Sequence, residues 1–265
     1  MVKRTNKPAR LPRSSVLGRA GTDLTHLALE GKLRPAFGVE RQVAAIVNAL
    51  SRADKASCAL VGPAGVGKSA IVEQLAIEGA AGRLPEPVAS QVIVRISLPE
   101  IAALQPPGQS QNDYWHYFRC LLDEARSIPA TLFFDEFQGL FYWPLSCQTL
   151  KPHLARGDLR IIAATTPAEF DRFIRHDPAL ERRFQVIPVS EPSDAQLRAI
   201  LSGVASFFEG RYQVSIGEDV LNQCIRLSRY LPQNQPDAAI DLLELAALDA
   251  ARGAEGLTGR ANHDG

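Results

Sequence analysis

The chain has 265 residues, a length that suits one large domain or an ordinary domain with a smaller companion, and we expect the second arrangement. Lysine plus arginine and aspartate plus glutamate each number 29, so the zero net charge gives no general bias toward nucleic acid, membranes or acidic substrates. No apolar run approaches the length of a membrane span, so we expect no membrane contact and a cytoplasmic location.

Residues 1–21 form a basic leader. Its cationic side chains are Lys3, Arg4, Lys7, Arg10, Arg13 and Arg19, without any acid up to residue 20. Two prolines and the lack of apolar periodicity predict disorder, and the apolar core of a secretory signal is missing. Two roles stay open for this segment, a solvated leader and an arm that binds nucleic-acid phosphates.

Two short helices are predicted before the first strand. The first lies between Thr22 and Lys32, and the second, Val39–Leu50, carries apolar residues on one face. The turn-rich connection between them contains Phe37 and Gly38, which we assign as candidate contacts to the adenine of a nucleotide. For Phe37, a position in the core is the alternative.

A phosphate loop follows the short apolar strand Cys58–Val61. Residues Gly62–Ser69 match the pattern G-x-x-x-x-G-K-[ST] at every fixed position, and a helix starts at Ala70. In such a loop the glycines let backbone N–H groups surround phosphates, Lys68 adds a cation, and the Ser69 hydroxyl can bind Mg²⁺. We therefore assign ATP and Mg²⁺ as cofactors. The residues assigned to ATP are Gly62, Pro63, Ala64, Gly65, Val66, Gly67, Lys68, Ser69 and Ala70.

The next segment combines a strand, a loop and an aromatic helix. The run Val92–Ile96 predicts a strand, and Gln105–Asp113 has the composition of a loop. The helix predicted from Tyr114 to Arg126 opens on an aromatic cluster. Aromatic residues at a helix start are usually core, although here they border a loop that could grip a substrate.

A second catalytic motif ends the strand Ala130–Phe134. Two acids, Asp135 and Glu136, follow this strand, and ligands bind at the carboxyl edge of parallel sheets. We expect Asp135 to hold Mg²⁺ through water and Glu136 to polarise the water that attacks the γ-phosphate.

The rest of the chain adds two strands and then helices alone. The strand Leu159–Ala164 ends at Thr165 and Thr166, and a further strand spans Val186–Val189. After a linker near Glu191 and Pro192, the predicted helices form a small helical lid. They span Ser193 to about Phe208, Asp219–Tyr230 and Asp237 to about Arg252.

This order of elements resembles the AAA+ ATPases. Residues 22–250 look most like the first nucleotide-binding domain of the ClpA/ClpB/ClpV protein unfoldases. The similar segments include Gly31-Lys32-Leu33, Leu150-Lys151-Pro152, Ala164-Thr165-Thr166, Ala179-Leu180-Glu181-Arg182-Arg183-Phe184, Glu191-Pro192-Ser193 and Pro236-Asp237. The resemblance implies an α/β fold, an AAA+ P-loop NTPase with a central parallel β-sheet flanked by helices and a small C-terminal all-helical lid. We place the leader at 1–21, the AAA+ domain at 22–191, the lid at 192–252 and a flexible tail at 253–265.

The resemblance also implies roles for residues that the pattern alone does not single out. It makes Thr166 the sensor that orients the attacking water, and it places Asp237 at the nucleotide. Arg182 and Arg183 become candidate arginine fingers that act on the ATP of a neighbouring subunit. A finger in trans requires an oligomer, a hexameric ring or spiral.

One departure from the family concerns the loop that contacts a translocating polypeptide. Where the family has a basic-aromatic-basic-glycine segment, residues 106–113 here read Pro-Pro-Gly-Gln-Ser-Gln-Asn-Asp, and Tyr114 or Trp115 are the nearest aromatic substitutes. The first functional hypothesis is an ATP-hydrolysing oligomer that remodels a protein partner. The second is a nucleotide-gated scaffold or regulator that acts on DNA, or on a secretion or transposition complex, through the basic leader.

Overall fold

The computed structural model describes residues 11–104, 111–142 and 144–261. These residues divide into two compact units. The first comprises the described residues up to Leu33, together with Arg41–Gly62 and Lys68–Val189. The second comprises Arg34–Glu40, Pro63–Gly67 and the described residues from Ser190 onward, so part of the phosphate loop belongs to the unit that contains the C-terminal helices.

A six-stranded sheet forms the centre of the first unit. Its strands are β1 Gly21–Asp23, β2 Ser57–Val61, β3 Val92–Ile96, β4 Ala130–Phe134, β5 Arg160–Thr165 and β6 Gln185–Pro188, in the spatial order β1-β3-β4-β5-β2-β6. All neighbouring strands are parallel except β1, which is antiparallel to β3. All five residues of β4 are buried, as expected for a parallel strand covered on both faces. The predicted mostly parallel α/β architecture is therefore confirmed.

Helices connect these strands. In the first unit they are α1 Val16–Ala20, α2 Leu24–Leu29, α3 Glu40–Leu50, α4 Lys68–Ala80, α5 Leu98–Ala103, α6 Gln111–Ser127, α7 Pro144–Arg156, α8 Pro167–Glu169 and α9 Pro178–Glu181, with Glu40 of α3 assigned to the second unit. A 3₁₀ helix spans Phe137–Tyr142 and a π-helix spans Phe170–Arg175. Sequence reasoning missed α7, which contains Pro152, a residue that ordinarily interrupts helices.

The strand order determines which chain segments meet at the carboxyl edge of the sheet. In the sheet, β5 lies between β2 and β4. The register pairs Val61 of β2 with Thr165 of β5, and Phe134 of β4 with Ala163. The residues that follow these three strands therefore leave the sheet side by side, although they are far apart in the sequence.

The leader prediction was wrong for residues 11–21. Leu11 and Leu17 are buried, α1 forms, and Gly21 begins a strand of the sheet. Both carboxylate oxygens of Glu124, on α6, accept hydrogen bonds from the first turn of α1, at 3.1 Å from the Val16 nitrogen and 2.7 Å from the Leu17 nitrogen. Long-range packing thus orders a segment whose own composition predicts disorder, while residues 1–10 lie outside the described part.

Two other element boundaries also differ from expectation. We predicted a helix from Thr22, but Thr22 and Asp23 pair with β3 and belong to strand β1. The helix begins at Leu24 instead. The last helix runs to Ala261, so residues 253–261 are helical rather than a tail. Residues 262–265 lie outside the described part of the chain.

The second unit has a core of its own. Its helices are α10 Asp194–Tyr212, α11 Glu218–Ser228 and α12 Asp237–Ala261, and their buried side chains include Leu201, Phe208 and Leu243. Ser193 closes a capping box with Gln196 at the start of α10. None of the described helices is long and apolar enough to cross a membrane.

We predict that Glu124→Ala lowers the free energy of unfolding by about 1–2 kcal/mol, because two backbone N–H groups of α1 lose their acceptor. Chemical denaturation of the full chain would measure this change. Asp123→Ala is the matched control, since Asp123 is exposed on the same helix and makes only a 3.5 Å surface ion pair with Arg126. Equal stability of the two variants would contradict the role of Glu124.

Candidate functional site

The ends of the phosphate loop lie in the first unit. Gly62 follows β2 so closely against Val189 that a Cβ atom would lie 2.1 Å from the Val189 carbonyl oxygen, which leaves room only for glycine. At the other end Lys68 begins α4, and its Nζ donates a 2.9 Å hydrogen bond to the Gly62 carbonyl. Burial lowers the pKa of Lys68, and the charges of Asp135 and Glu169 act against that shift.

The middle of the loop belongs to the second unit. Gly65 and Gly67 have φ angles of +78° and +91°, in the left-handed region that glycine adopts without strain. The amide nitrogen of the Asn234 side chain donates a 2.9 Å hydrogen bond to the Ala64 carbonyl. A Cβ atom at Gly65 would lie 3.1 Å from the Cβ of Asp237, so Asp237, at the start of α12, directly flanks the loop.

The structure brings Ser69 and Asp135 together. The Ser69 hydroxyl lies 2.7 Å and 2.8 Å from the two carboxylate oxygens of Asp135, across 66 positions of sequence. A hydroxyl and a carboxylate are hard oxygen donors of the kind that hold Mg²⁺ together with water and phosphate oxygens. The donor set therefore fits this ion. Among the described residues no group of three or more His, Cys, Asp or Glu side chains forms a separate metal site.

Glu136 is exposed next to a cleft. The cleft has a volume of about 710 Å³ and lies where β3 and β4 end. Its lining includes Arg95, Ser97, Asp135, Glu136 and Tyr142. A carboxylate in this position keeps its charge accessible to water, as a general base requires.

Thr166 is held by Glu169. The Thr166 hydroxyl donates a 2.7 Å hydrogen bond to Glu169 Oε2, and the same oxygen accepts the Thr166 N–H at 3.1 Å. Glu169 N–H in turn donates to the Thr166 hydroxyl, which completes a capping box for α8. The Thr166 hydroxyl therefore donates its proton to the Glu169 carboxylate. This hydrogen bond has to break before the hydroxyl can donate to a water molecule.

Arg182 and Arg183 lie apart from these groups. Arg182 is exposed at the C-terminal end of α9, and Arg183 is half-buried. Within the described residues neither guanidinium has an ion-pair or hydrogen-bond partner, so both charges remain available to an external anion. The structure thus does not join them to the Lys68, Ser69 and Asp135 cluster.

The remaining candidates have different surroundings. The ring of Phe37 packs against Gly203 of α10, so closely that a Cβ atom at Gly203 would lie 2.5 Å from ring carbons. This packing agrees with the core position that we gave as the alternative for Phe37. Gly38 has a φ of +73° in the same loop. Tyr114 is 2% exposed and stacks on Phe118, which removes it as a substrate-gripping residue, whereas Trp115 is half-buried. Residues 105–110 of the loop that precedes them lie outside the described part.

Sequence reasoning missed two residues at the site. Glu169 carries a recognisable signal, because Thr166-Pro167-Ala168-Glu169 matches the capping-box spacing. Asn234 carries none, because its contact with Ala64 spans 170 positions and depends on how α12 begins.

Comparisons with known proteins agree with this geometry. A family model described as "AAA lid domain" matches residues 193–256. ClpB, named a chaperone protein, of Yersinia enterocolitica is 40% identical over 248 residues, which cover 90% of this chain and 28% of that protein. The AAA+ ATPase ClpV1 of Pseudomonas aeruginosa is 37% identical over 254 residues, 92% of this chain and 28% of that protein. This chain thus spans less than a third of the length of these two curated relatives.

Solved structures give the same result. The Hsp104:casein complex of S. cerevisiae in its extended conformation superposes with a TM-score of 0.82 at 32% identity, covering 91% of this chain and 42% of that one. The Hsp104-ADP complex of S. cerevisiae gives a TM-score of 0.83 at 32% identity, covering 93% of this chain and 35% of that one.

We predict that Lys68→Ala weakens binding of a fluorescent ATP analogue at least about tenfold, because a cation that faces the phosphates is lost. Equilibrium titration would measure the dissociation constant. Lys32→Ala removes an exposed lysine from the same unit and serves as the control. Unchanged affinity in the Lys68 variant would contradict the assignment of the loop to phosphate binding.

Proposed function

We propose that this chain, a ClpB-type AAA+ domain, binds and hydrolyses ATP with Mg²⁺ in a cytoplasmic homo-oligomer, a hexameric ring or spiral, and uses this cycle to remodel a protein partner. The observation that carries the proposal is the contact of the Ser69 hydroxyl with Asp135 at the carboxyl edge of the sheet, next to Lys68. The names of the relatives point to the same use, since two are ATPases or chaperones and one structural neighbour is a complex with the protein casein.

Different residues around the phosphate loop bind the phosphates and the metal ion. Backbone N–H groups of the loop and the start of α4 bind phosphate oxygens, and Lys68 fixes the terminal phosphates. Ser69 and Asp135 would hold Mg²⁺, which neutralises charge on the β- and γ-phosphates. As holders of Mg²⁺, Ser69 and Asp135 would no longer bond directly to each other, so we expect their contact to open when nucleotide binds.

Hydrolysis then depends on Glu136 and Thr166. Glu136, exposed beside its cleft, accepts a proton from the attacking water. Thr166 orients that water once its hydroxyl leaves Glu169. Glu169 also lies near enough to Lys68 for its charge to act on the ammonium, so it belongs to the same electrostatic environment.

Arg182 and Arg183 would complete the site of a neighbouring subunit. Their charges have no partner among the described residues, and an arginine finger lowers the barrier only where it meets the transferring phosphoryl group. Contact of this kind between unlike surfaces of identical subunits closes into a ring or continues as a spiral. The oligomer therefore becomes a condition of activity.

The alternative of a scaffold on DNA, or on a secretion or transposition complex, is not favoured. Residues 11–21, half of the segment expected to act as a nucleic-acid arm, are packed in the first unit. The named relatives and structural neighbours also point to protein partners.

We predict that Glu136→Gln retains ATP but lowers turnover by about 10²–10⁴-fold, because the amide cannot accept a proton from water. Phosphate release and nucleotide titration on the same sample separate the two effects. Glu100→Gln is the control, since Glu100 is exposed on the same cleft without a catalytic role. Retained turnover would contradict the role of Glu136.

The same variant also offers a way to identify the partner, because a protein that stays bound to it in the presence of ATP can be isolated and identified.

We predict that Arg182→Ala combined with Arg183→Ala preserves ATP affinity while lowering turnover by about 10³-fold or more in the assembled state. Turnover per subunit, measured against protein concentration, should rise for the natural sequence and stay low for this variant. Arg119→Ala, an exposed arginine on α6, is the control. A rate per subunit that never depends on concentration would exclude a finger in trans.

A further inference from the structure

We propose that Lys151 is a positioning residue for the arginine fingers: its ion pair with Asp177 sets the direction in which α9 presents Arg182 and Arg183 to the neighbouring subunit. The inference rests on the proposed trans role of these arginines and assigns to Lys151 and Asp177 a part in the reaction without contact to the nucleotide.

The Asp177 carboxylate joins two helices. Lys151, on α7, places its Nζ 2.5 Å from Asp177 Oδ2. The other oxygen, Asp177 Oδ1, accepts a 3.0 Å hydrogen bond from the Ala179 N–H and so caps the N-terminus of α9. The Lys151 ammonium is the main cause that lowers the pKa of Asp177, so the carboxylate is charged at neutral pH. Asp177 thereby connects α7 with the first turn of α9.

Helix α9 cannot hold its own direction. It has four residues, Pro178–Glu181, and a single turn has no stability apart from its attachments. Leu180 and Phe184 are buried and anchor one side of the segment, with Arg182 and Arg183 between them. Both anchors lie toward the C-terminal side of the segment, where Gln185 begins β6, so they hold its N-terminal side less directly. The Asp177 end supplies the third point.

A cleft lies beside this third point. The N-terminal side of α9 borders a cleft of about 300 Å³ that is lined by Lys151, Asp177, Phe173 and His176, among others. Lys151 and Asp177 both belong to the lining of this cleft, so their ion pair lies at its surface. The two side chains are 33% and 27% exposed, so the pair is partly screened by water and adds little to global stability.

These properties separate positioning from folding. A finger contributes about 10³–10⁵-fold to turnover only when its guanidinium meets the phosphoryl group. A rotation of α9 would therefore lower turnover, while the fold and the ATP site of the same subunit stay intact.

We expect Lys151→Met and Asp177→Asn each to lower turnover of the assembled protein about threefold to tenfold at unchanged KM for ATP. Asparagine still caps α9, so Asp177→Asn removes the charge alone. Lys151→Arg keeps the cation and should retain most of the turnover.

A complementation assay places the effect in trans. Subunits with Arg182→Ala and Arg183→Ala keep a nucleotide site but lack fingers, and subunits with Lys68→Ala lack a competent site but keep fingers. Their mixture is active only where the second kind serves the first. Adding Lys151→Met to the Lys68→Ala subunit should lower the activity of the mixture about threefold to tenfold, at equal thermal melting temperature and equal oligomer size.

The possible results distinguish an error in the positioning role of Lys151 from an error in the finger role of Arg182 and Arg183. Equal complementation by Lys68→Ala subunits with and without Lys151→Met would overturn the positioning role. A lower melting temperature together with a changed KM in both Lys151→Met and Asp177→Asn would overturn it too, because that pattern indicates a structural ion pair. Normal turnover of the subunits that lack both arginines would instead overturn the finger assignment itself.

Discussion

The contact between Ser69 and Asp135 depends on the order of the parallel strands. Strand β5 lies between β2 and β4, so the loop after β2 and the acids after β4 leave the sheet at the same edge, on either side of β5. A different order of the same strands would separate Lys68 and Ser69, which follow β2, from Asp135, which follows β4. The burial of β4 and β5 agrees with their interior positions in the sheet, where both faces of a strand are covered.

Much of the fold and of the site could be predicted because the signals are local. The strands β3 and β4 have the predicted ends, and the phosphate loop and the Asp135–Glu136 pair are contiguous in sequence. The errors arose where long-range contacts decide. Residues 11–21 gain order from Glu124 and the core, β1 gains its conformation by pairing with β3, and α7 forms in spite of Pro152. None of these three segments has a periodic sequence pattern that predicts its structure.

The site shows the same limit at the level of side chains. Sequence identifies Thr166 through a family resemblance, but only the structure shows that Glu169 holds its hydroxyl. Likewise, Asn234 stabilises the phosphate loop through the Ala64 carbonyl, and Phe37 turns out to pack on Gly203. A motif specifies which groups are present. Their hydrogen-bond partners follow from tertiary packing, which decides what must change when a nucleotide binds.

The surroundings of the two kinds of cation bear on the proposed role of the arginines in a neighbouring subunit. Lys68 donates to the Gly62 carbonyl and feels the charges of Asp135 and Glu169, so its site is assembled within one chain before any phosphate arrives. Arg182 and Arg183, by contrast, leave α9 without an anionic partner in the described part of the chain. In the proposed trans role, the exposed Arg182 and the half-buried Arg183 act only when a second copy presents its triphosphate. Under that proposal, hydrolysis is a property of the subunit interface rather than of the single subunit.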